Sequence, residues 1–172
     1  MGMQTDVKQA HLNGSGFLVT SPVRVKGVSF YGAGSADGTL VLFDTAATPV
    51  SASVTYARSG TTVTVTKTAH GLITGDVIGI HFATGTGGTA TDGTYTITRV
   101  DANTFTLTDI NTGTITGTPA AVYAVGRWLL TYECDDTDVF QNAPLIPGEG
   151  VRALTGVYVY VSNIAATQIY YG

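Results

Sequence analysis

A block rich in threonine and glycine, residues 55–123, most constrains what this chain can fold into. It contains three period-two runs: T-T-V-T-V-T-K-T at 61–68, T-Y-T-I-T-R-V at 94–100 and N-T-F-T-L-T-D-I at 103–110. Alternation of this kind, in β-branched and aromatic residues, is typical of half-buried strands. Because closure removes the exposed edges of such strands, we predict that the block forms a small closed or nearly closed β-barrel.

The flanks of this block are also strand-rich and contain no helical periodicity. Their clearest strands are V-R-V-K-G-V-S-F-Y at 23–31, T-L-V-L-F-D at 39–44, R-W-L-L-T-Y-E-C at 127–134 and G-V-Y-V-Y-V-S at 156–162. The last of these is apolar or aromatic on both faces, which is typical of a strand covered on two sides.

Together these patterns predict an all-β fold with two domains. Residues 17–54 and 124–172 are expected to form an antiparallel, jelly-roll-like β-sandwich, with the barrel of residues 55–123 inserted between its strands. Residues 1–16 are polar and contain glycines, and we expect an N-terminal arm that orders on a neighbouring subunit.

Composition narrows the class of function. Charged residues make up 12% of the 172 residues and the formal net charge is −4, with lysines and arginines scattered singly. A basic patch for nucleic acid is therefore not expected. The N-terminus lacks the charged-then-apolar pattern of a signal peptide, and no apolar run reaches membrane-spanning length. We therefore expect a soluble protein made in the cytoplasm. The single cysteine, Cys134, predicts no internal disulfide.

Catalytic motifs are weak throughout. His11, His70 and His81 have no cysteine or carboxylate at metal-ligand spacing, and no nucleophile elbow or phosphate loop occurs. His81 lies in an apolar strand and is expected to be packed, whereas the His70 ring is expected to cap backbone groups in a turn. We predict a protein without enzymatic activity, cofactor or metal.

An acidic run, Asp135, Asp136 and Asp138, is expected to be a solvated turn. It lacks the glycine and the distal glutamate of a calcium loop.

One string in the inserted block resembles a module that recurs in tail and virion proteins of bacteriophages. The resemblance depends on H-G-L-I-T-G-D-V at 70–77, G-T-Y-T-I-T at 93–98 and N-T-F-T-L-T at 103–108. Its barrel topology is similar to a half-domain of ubiquitin-activating enzymes, and none of their chemistry is implied. The flanks, with I-P-G-E-G-V-R at 146–152 and a terminal I-Y-Y-G, resemble small structural proteins of short-tailed phages of marine cyanobacteria.

The resemblance implies a virion component, and we expect a capsid decoration or cement protein. Its partners would be the major capsid protein or other virion proteins, with further copies of itself in a homo-oligomer. Aromatic side chains dominate interfaces, so the expected contact residues are Trp128, Tyr158, Tyr160, Tyr170 and Tyr171. Two alternatives remain: a tail or fibre-adaptor component, and a module that binds a host surface glycan.

Overall fold

Extended backbone accounts for all regular structure in the described part of the chain. The computed structural model describes residues 7–136, 141–142, 146 and 148–172, with the backbone alone at 141–142. Within those residues there are strands and no helix, so the predicted all-β class is confirmed. The chain divides into two compact units, one formed by Met1–Ala46 and Leu129–Gly172 and the other by Ala47–Trp128.

The strands are numbered here in chain order. They are β1 Lys8–Leu12, β2 Gly16–Val19, β3 Val23–Gly32, β4 Gly38–Asp44, β5 Thr55–Thr66, β6 Val77–Phe82, β7 Gly93–Thr96, β8 Thr98–Arg99, β9 Thr104–Ile115, β10 Ala121–Val125, β11 Arg127–Cys134, β12 Gln141–Asn142, β13 Val151–Ala153, β14 Val157–Ser162 and β15 Ile164–Tyr171.

Two antiparallel sheets form the first unit. One has the order β1-β15-β3-β12, with β13 also paired to β3, and the other has the order β11-β4-β14-β2. Val28 and Ile169 of the first sheet, and Leu42 and Val159 of the second, belong to one buried core cluster. Two sheets with one core between them define a sandwich, so the predicted sandwich is confirmed.

Strand β4 is buried on both faces. Leu40 and Leu42 lie in the sandwich core, and Val41 and Phe43 on the opposite face are also 0% exposed. Strand β14 pairs with β4 so that Tyr158 lies opposite Phe43. Other parts of the same chain therefore cover both faces of β4.

The predicted N-terminal arm is partly wrong. Residues 8–12 form β1, which pairs along its length with β15, from Lys8 opposite Tyr171 to Leu12 opposite Thr167. Leu12 packs against the sandwich core, and this burial explains why the polar segment joins the sheet of its own chain. Residues 1–6 of the predicted arm lie outside the described residues.

The second unit contains two three-stranded antiparallel sheets, β10-β6-β7 and β5-β9-β8. Alternation places Val63 opposite Leu107 and Val65 opposite Phe105 on the inner face. Threonines occupy the outer face, with Thr62 opposite Thr108 and Thr64 opposite Thr106. The inner residues form a core cluster of their own, so this unit has an independent hydrophobic core.

A closed or nearly closed barrel was predicted for this block, and no closed barrel is found among the sheets of the second unit. Between β7 and β8 the chain passes from one sheet to the other at Ile97, which is 1% exposed. Isolated bridges supplement these sheets, including Thr55 with Ala120 and Thr86 with Thr116. A strand that changes sheets at a buried residue gives two sheets around one core instead of a ring of hydrogen bonds. The unit also includes residues 47–54 and 124–128, because Val50 pairs with Tyr123 there.

Two buried tyrosines in the second unit differ in how their hydroxyl groups are satisfied. The Tyr56 hydroxyl donates to the Ala83 carbonyl oxygen at 2.7 Å and accepts from the Ala90 amide at 3.4 Å. The Tyr123 hydroxyl is buried and has no hydrogen-bond partner among the described residues. A buried polar group without a partner keeps its desolvation cost.

We therefore expect opposite results from the same chemical change at these two positions. Tyr123→Phe should leave the free energy of unfolding unchanged or raise it, whereas Tyr56→Phe should lower it by about 1–2 kcal/mol because it removes satisfied hydrogen bonds. Urea unfolding followed by tryptophan fluorescence and circular dichroism measures both. A loss at Tyr123 as large as that at Tyr56 would contradict the assignment.

Candidate functional site

The five predicted interface residues are not equally available to a partner. Tyr158 is 8% exposed and packs edge-on against Phe17 at 4.9 Å between ring centroids, so little of its ring is left for an intermolecular contact. Tyr160, Tyr170 and Tyr171 are partly exposed. Tyr160 follows Tyr158 on β14, and Tyr170 and Tyr171 lie on β15 of the other sheet.

The fifth predicted interface residue, Trp128, is the last residue of the second unit. Its amide donates to the Thr94 hydroxyl at 3.0 Å. The backbone passes so close to β6 that a Cβ on Gly79 would lie 2.2 Å from the Trp128 nitrogen. A glycine is required at this point because any side chain would collide with backbone. Trp128 is partly exposed, and its position is fixed by this close approach.

A buried ion pair lies inside the second unit. Arg58 Nη1 donates to Asp109 Oδ2 at 2.6 Å, and the two side chains are 7% and 1% exposed. The same carboxylate accepts hydrogen bonds from the Thr91 amide at 3.2 Å and the Asn111 amide at 3.1 Å. The Arg58 Nε atom is buried and has no hydrogen-bond partner in the part of the chain that the structure describes.

Hydrogen bonding outweighs burial in setting the pKa of the Asp109 carboxyl. Burial alone would raise the pKa of Asp109, but hydrogen bonds from Thr91, Asn111 and Arg58 lower it overall. The Tyr95 hydroxyl donates to the Thr91 carbonyl oxygen at 2.6 Å, and burial, reinforced by the nearby carboxylates, raises the pKa of Tyr95 to about 12. Asp109 is therefore an anion and Tyr95 a neutral donor at neutral pH.

A second buried polar pair joins β6 to the loop before β7. His81 Nδ1 lies 2.7 Å from Asp92 Oδ2, and the Phe82 amide donates to Asp92 Oδ1 at 2.9 Å. The His81 side chain is 8% exposed. An imidazole held by a carboxylate is half of an acid–base relay, but one this deeply buried is suited to bracing the strand.

His70 lies in a turn, where the sequence predicts that its ring caps backbone groups. Its Nδ1 accepts a hydrogen bond from the Leu72 amide at 3.0 Å, and its Nε2 lies 3.0 Å from the Asp101 carbonyl oxygen. The ring also packs edge-on against Phe105 at 5.3 Å. The predicted capping role of His70 is therefore confirmed, and these contacts specify the neutral tautomer with the proton on Nε2.

The acidic run is joined by a residue that is distant in sequence. Ligand atoms of Asp37, Asp135 and Asp136 lie within 4.8 Å of one another, and all three residues are exposed. Carboxylate oxygens are the ligands that hard cations prefer, so these residues could hold one, but exposed acidic groups of this kind are common on protein surfaces without an ion. Asp138 lies outside the described residues.

Sequence reasoning missed both buried polar pairs, although a signal for one of them exists. In β9 the inward positions run Phe105, Leu107, Asp109, and in β5 Tyr56 and Arg58 are both buried. Opposite charges at inward positions of two strands in one small domain indicate a buried ion pair. The partner of His81 had no comparable signal, since Asp92 lies in a loop.

Comparison with protein families, curated proteins and solved structures finds no match to this chain. Among the described residues, no helix is long and apolar enough to cross a membrane.

The Arg58–Asp109 pair generates a prediction about stability and pH. Asp109→Asn should lower the free energy of unfolding at pH 7 by about 3–5 kcal/mol, because it leaves the Arg58 charge buried without its partner. Since the pKa of Asp109 is lowered by folding, its contribution is present above the unfolded pKa of about 3.8 and is lost as pH falls through the lower folded value. Asp109→Asn should therefore also flatten the loss of stability in acid.

The matched control is the double variant Arg58→Met with Asp109→Asn, which also removes the unpaired charge of Arg58. It should be more stable than Asp109→Asn alone. Chemical unfolding between pH 2 and pH 7 checks both points, and equal stability of the single and double variants would argue against a buried ion pair.

The His70 corner generates a second prediction. His70→Ala should lower the free energy of unfolding by about 1–2 kcal/mol, because two hydrogen bonds to backbone groups are lost. His70→Asn should lose less, since an amide oxygen can replace Nδ1 as the acceptor for the Leu72 amide. Thermal and urea unfolding compare the two, and identical losses would show that the Nδ1 contact has no energetic value.

Proposed function

We propose that this chain is a non-enzymatic structural protein of a bacteriophage particle, and specifically a decoration protein on the outer shell. The phage-like string supports this proposal through what its residues do. His70 caps a turn, and Leu72, Ile80, Ile97 and Phe105 fill the core of the second unit. These residues have structural roles in the second unit, which is consistent with a protein that acts through its fold and not through catalysis.

The observation that carries the proposal is an exposed apolar surface left after both cores have closed. At one end of the β10-β6 pair, Ile73 is 65% exposed, Val77 42% and Val125 54%. The Asp76 amide donates to the Ile73 carbonyl oxygen, and the Gly126 amide donates to the Val77 carbonyl oxygen, both at 3.1 Å. These bonds hold the Ile73–Val77 turn against the end of β10. Val125 is paired with the buried Ile78 and so lies on the face of the sheet opposite to Val77, and we call Ile73 and Val77 the Val77 patch.

Exposed apolar side chains grouped in this way are typical of protein–protein contacts. Charged residues are 12% of the chain, so few charges oppose close approach of a neighbouring subunit. An interface of ordinary size buries about 800 Å² per partner, and apolar area contributes about 25 cal/mol per Å². Many such contacts repeated over a shell would stabilise it without covalent chemistry.

The test measures this chain in purified particles. Quantitative mass spectrometry of infectious particles should find it at high copy number relative to the major capsid protein. A count near a multiple of six or twelve would instead favour the tail or fibre-adaptor alternative, and absence from particles would overturn the proposal.

Two variants test the contact itself. Val77→Lys should reduce incorporation of the protein into particles at least tenfold, because a charge in the patch would have to be desolvated. Ile110→Lys is the matched control, since Ile110 is 84% exposed on β9 and lies outside the Val77 patch. Normal incorporation of Val77→Lys would rule the patch out as the contact surface.

A further inference from the structure

The link between β1 and β2 contains the single Asn–Gly sequence of this chain, Asn13 followed by Gly14. Asn13 is exposed and lies in a bend between the two strands. Asparagine is a thermolabile residue, because the backbone nitrogen of the next residue can attack its side-chain amide. A following glycine obstructs that attack least, since it has no Cβ.

Nothing in the fold requires a glycine at position 14. Its φ lies outside the left-handed region, and a Cβ built on Gly14 would have no atom within 4 Å apart from its chain neighbours. At Gly79, by contrast, a Cβ would collide with the backbone of Trp128. The missing side chain at Gly14 therefore leaves the backbone nitrogen open without serving the packing of the link.

The two reacting groups are also uncommitted. Among the described residues, neither the Asn13 side chain nor the Gly14 amide has a hydrogen-bond partner. An amide outside a β-ladder is not held in place by strand pairing, and a carboxamide without partners is free to rotate towards it. The link therefore allows the approach of the Gly14 nitrogen to Asn13 Cγ.

Three other asparagine side chains are described, and each carboxamide has a partner. The bonds are Asn103 Oδ1 with the Ala69 amide at 3.0 Å, Asn111 Nδ2 with Thr91 Oγ1 at 2.8 Å, and Asn163 Nδ2 with the Asp37 carbonyl oxygen at 3.1 Å. Each of the three precedes a threonine or an isoleucine, and these β-branched side chains crowd the backbone beside them. Among the asparagine side chains that the structure describes, only that of Asn13 combines a free carboxamide with a following glycine.

We propose that Asn13 is a site of spontaneous deamidation in the folded protein. The Gly14 nitrogen loses its proton and forms a bond to Asn13 Cγ, the bond from Cγ to the side-chain nitrogen breaks, and ammonia leaves with that proton. The product is a cyclic succinimide. Water then adds to either ring carbonyl and opens the ring to aspartate or to isoaspartate. The net reaction consumes one water and releases one ammonia.

The link joins strands of the two sheets of the first unit, β1 in one and β2 in the other. Both of its ends are held. Leu12 packs against the core, and Ser15 Oγ accepts from the Val161 amide at 2.9 Å and donates to the Val161 carbonyl oxygen at 3.3 Å. Isoaspartate routes the main chain through Cβ and so lengthens the link by one carbon between these fixed points.

Either product also adds one negative charge to the formal net charge of −4. Copies of different age therefore differ in charge. The inference depends on the link alone and not on the proposed function, so the particle census and the test below fail independently.

The aspartates that precede glycines provide an internal comparison, since they can form the same ring. Their carboxylates are poor electrophiles because they are negatively charged, and both are held. Asp92 accepts from the Phe82 amide and contacts His81, and Asp37 Oδ1 accepts from the Asp136 amide at 3.2 Å. Isoaspartate should therefore accumulate more slowly at these two positions than at position 13.

The experiment incubates the purified full chain, folded throughout, at pH 6 and pH 8.5. Peptide mapping by mass spectrometry measures the small mass increase from replacement of the amide nitrogen by oxygen, and an isoaspartate assay identifies the linkage. The Asn13 peptide should deamidate at least tenfold faster than those of Asn103, Asn111 and Asn163. The reaction should be faster at pH 8.5, because the attacking nitrogen must lose its proton, and both linkages should form.

Variants separate the mechanism from general instability. Gly14→Ala should deamidate at least tenfold more slowly, because the methyl group crowds the attacking nitrogen, and the open space around it lets the variant fold. Asn13→Gln should be stable over the same period, since its longer side chain forms the larger ring slowly. Gly16→Ala is the matched control and should react as the unaltered protein does, because its Cβ would meet only Leu12 Cδ2 at an ordinary 3.8 Å.

Three results would each overturn the proposal. They are an Asn13 as durable as the other asparagines, aspartate formed without isoaspartate, and an unchanged rate in folded Gly14→Ala. Circular dichroism of each sample confirms that the compared proteins are folded.

Discussion

Strand register is the constraint on which the rest of this protein depends. Side chains alternate with a period of two, so a slip of one residue would exchange the buried and the solvent faces of a strand. In β15, Ile169 faces the core and Tyr170 faces outward, and the pairing of Ile169 with both Ala10 and Val28 fixes that choice. The core of the first unit and the outward position of Tyr170 are consequences of the same register.

The sequence could predict the strands, because alternation of valine, isoleucine and aromatic residues with threonine is a local signal. It could not predict how the strands of the second unit close. The decisive residue is Ile97, where the chain changes sheets, and its apolar side chain would suit a barrel equally well. The polar composition of residues 8–12 likewise suggested an arm, since an edge strand at this position buries little more than Leu12 and Ala10.

The candidate site was harder to predict from the sequence than the fold. Buried charges depend on partners that are distant in sequence, and Arg58 meets Asp109 only after β5 and β9 have paired. Inward alternation indicates that each charge is buried, but the identity of its partner is a tertiary property. A buried pair of this kind contributes little net stability compared with well-packed apolar residues, although losing one member is costly. These polar groups therefore brace the second unit from within, whereas Ile73 and Val77 are exposed on its surface.

The division of the chain has a consequence for synthesis on the ribosome. Residues 47–128 form a contiguous unit and can fold as soon as they emerge, whereas both sheets of the other unit combine strands from before and after that segment. At about 5–20 residues per second, the roughly 80 intervening residues delay the later strands by several seconds or more. During that interval the nascent strands β3 and β4, with Phe30, Leu42 and Phe43, have no partners from the later half. Chaperone binding is most valuable in that interval, before the later strands are synthesised and complete the two sheets of the first unit.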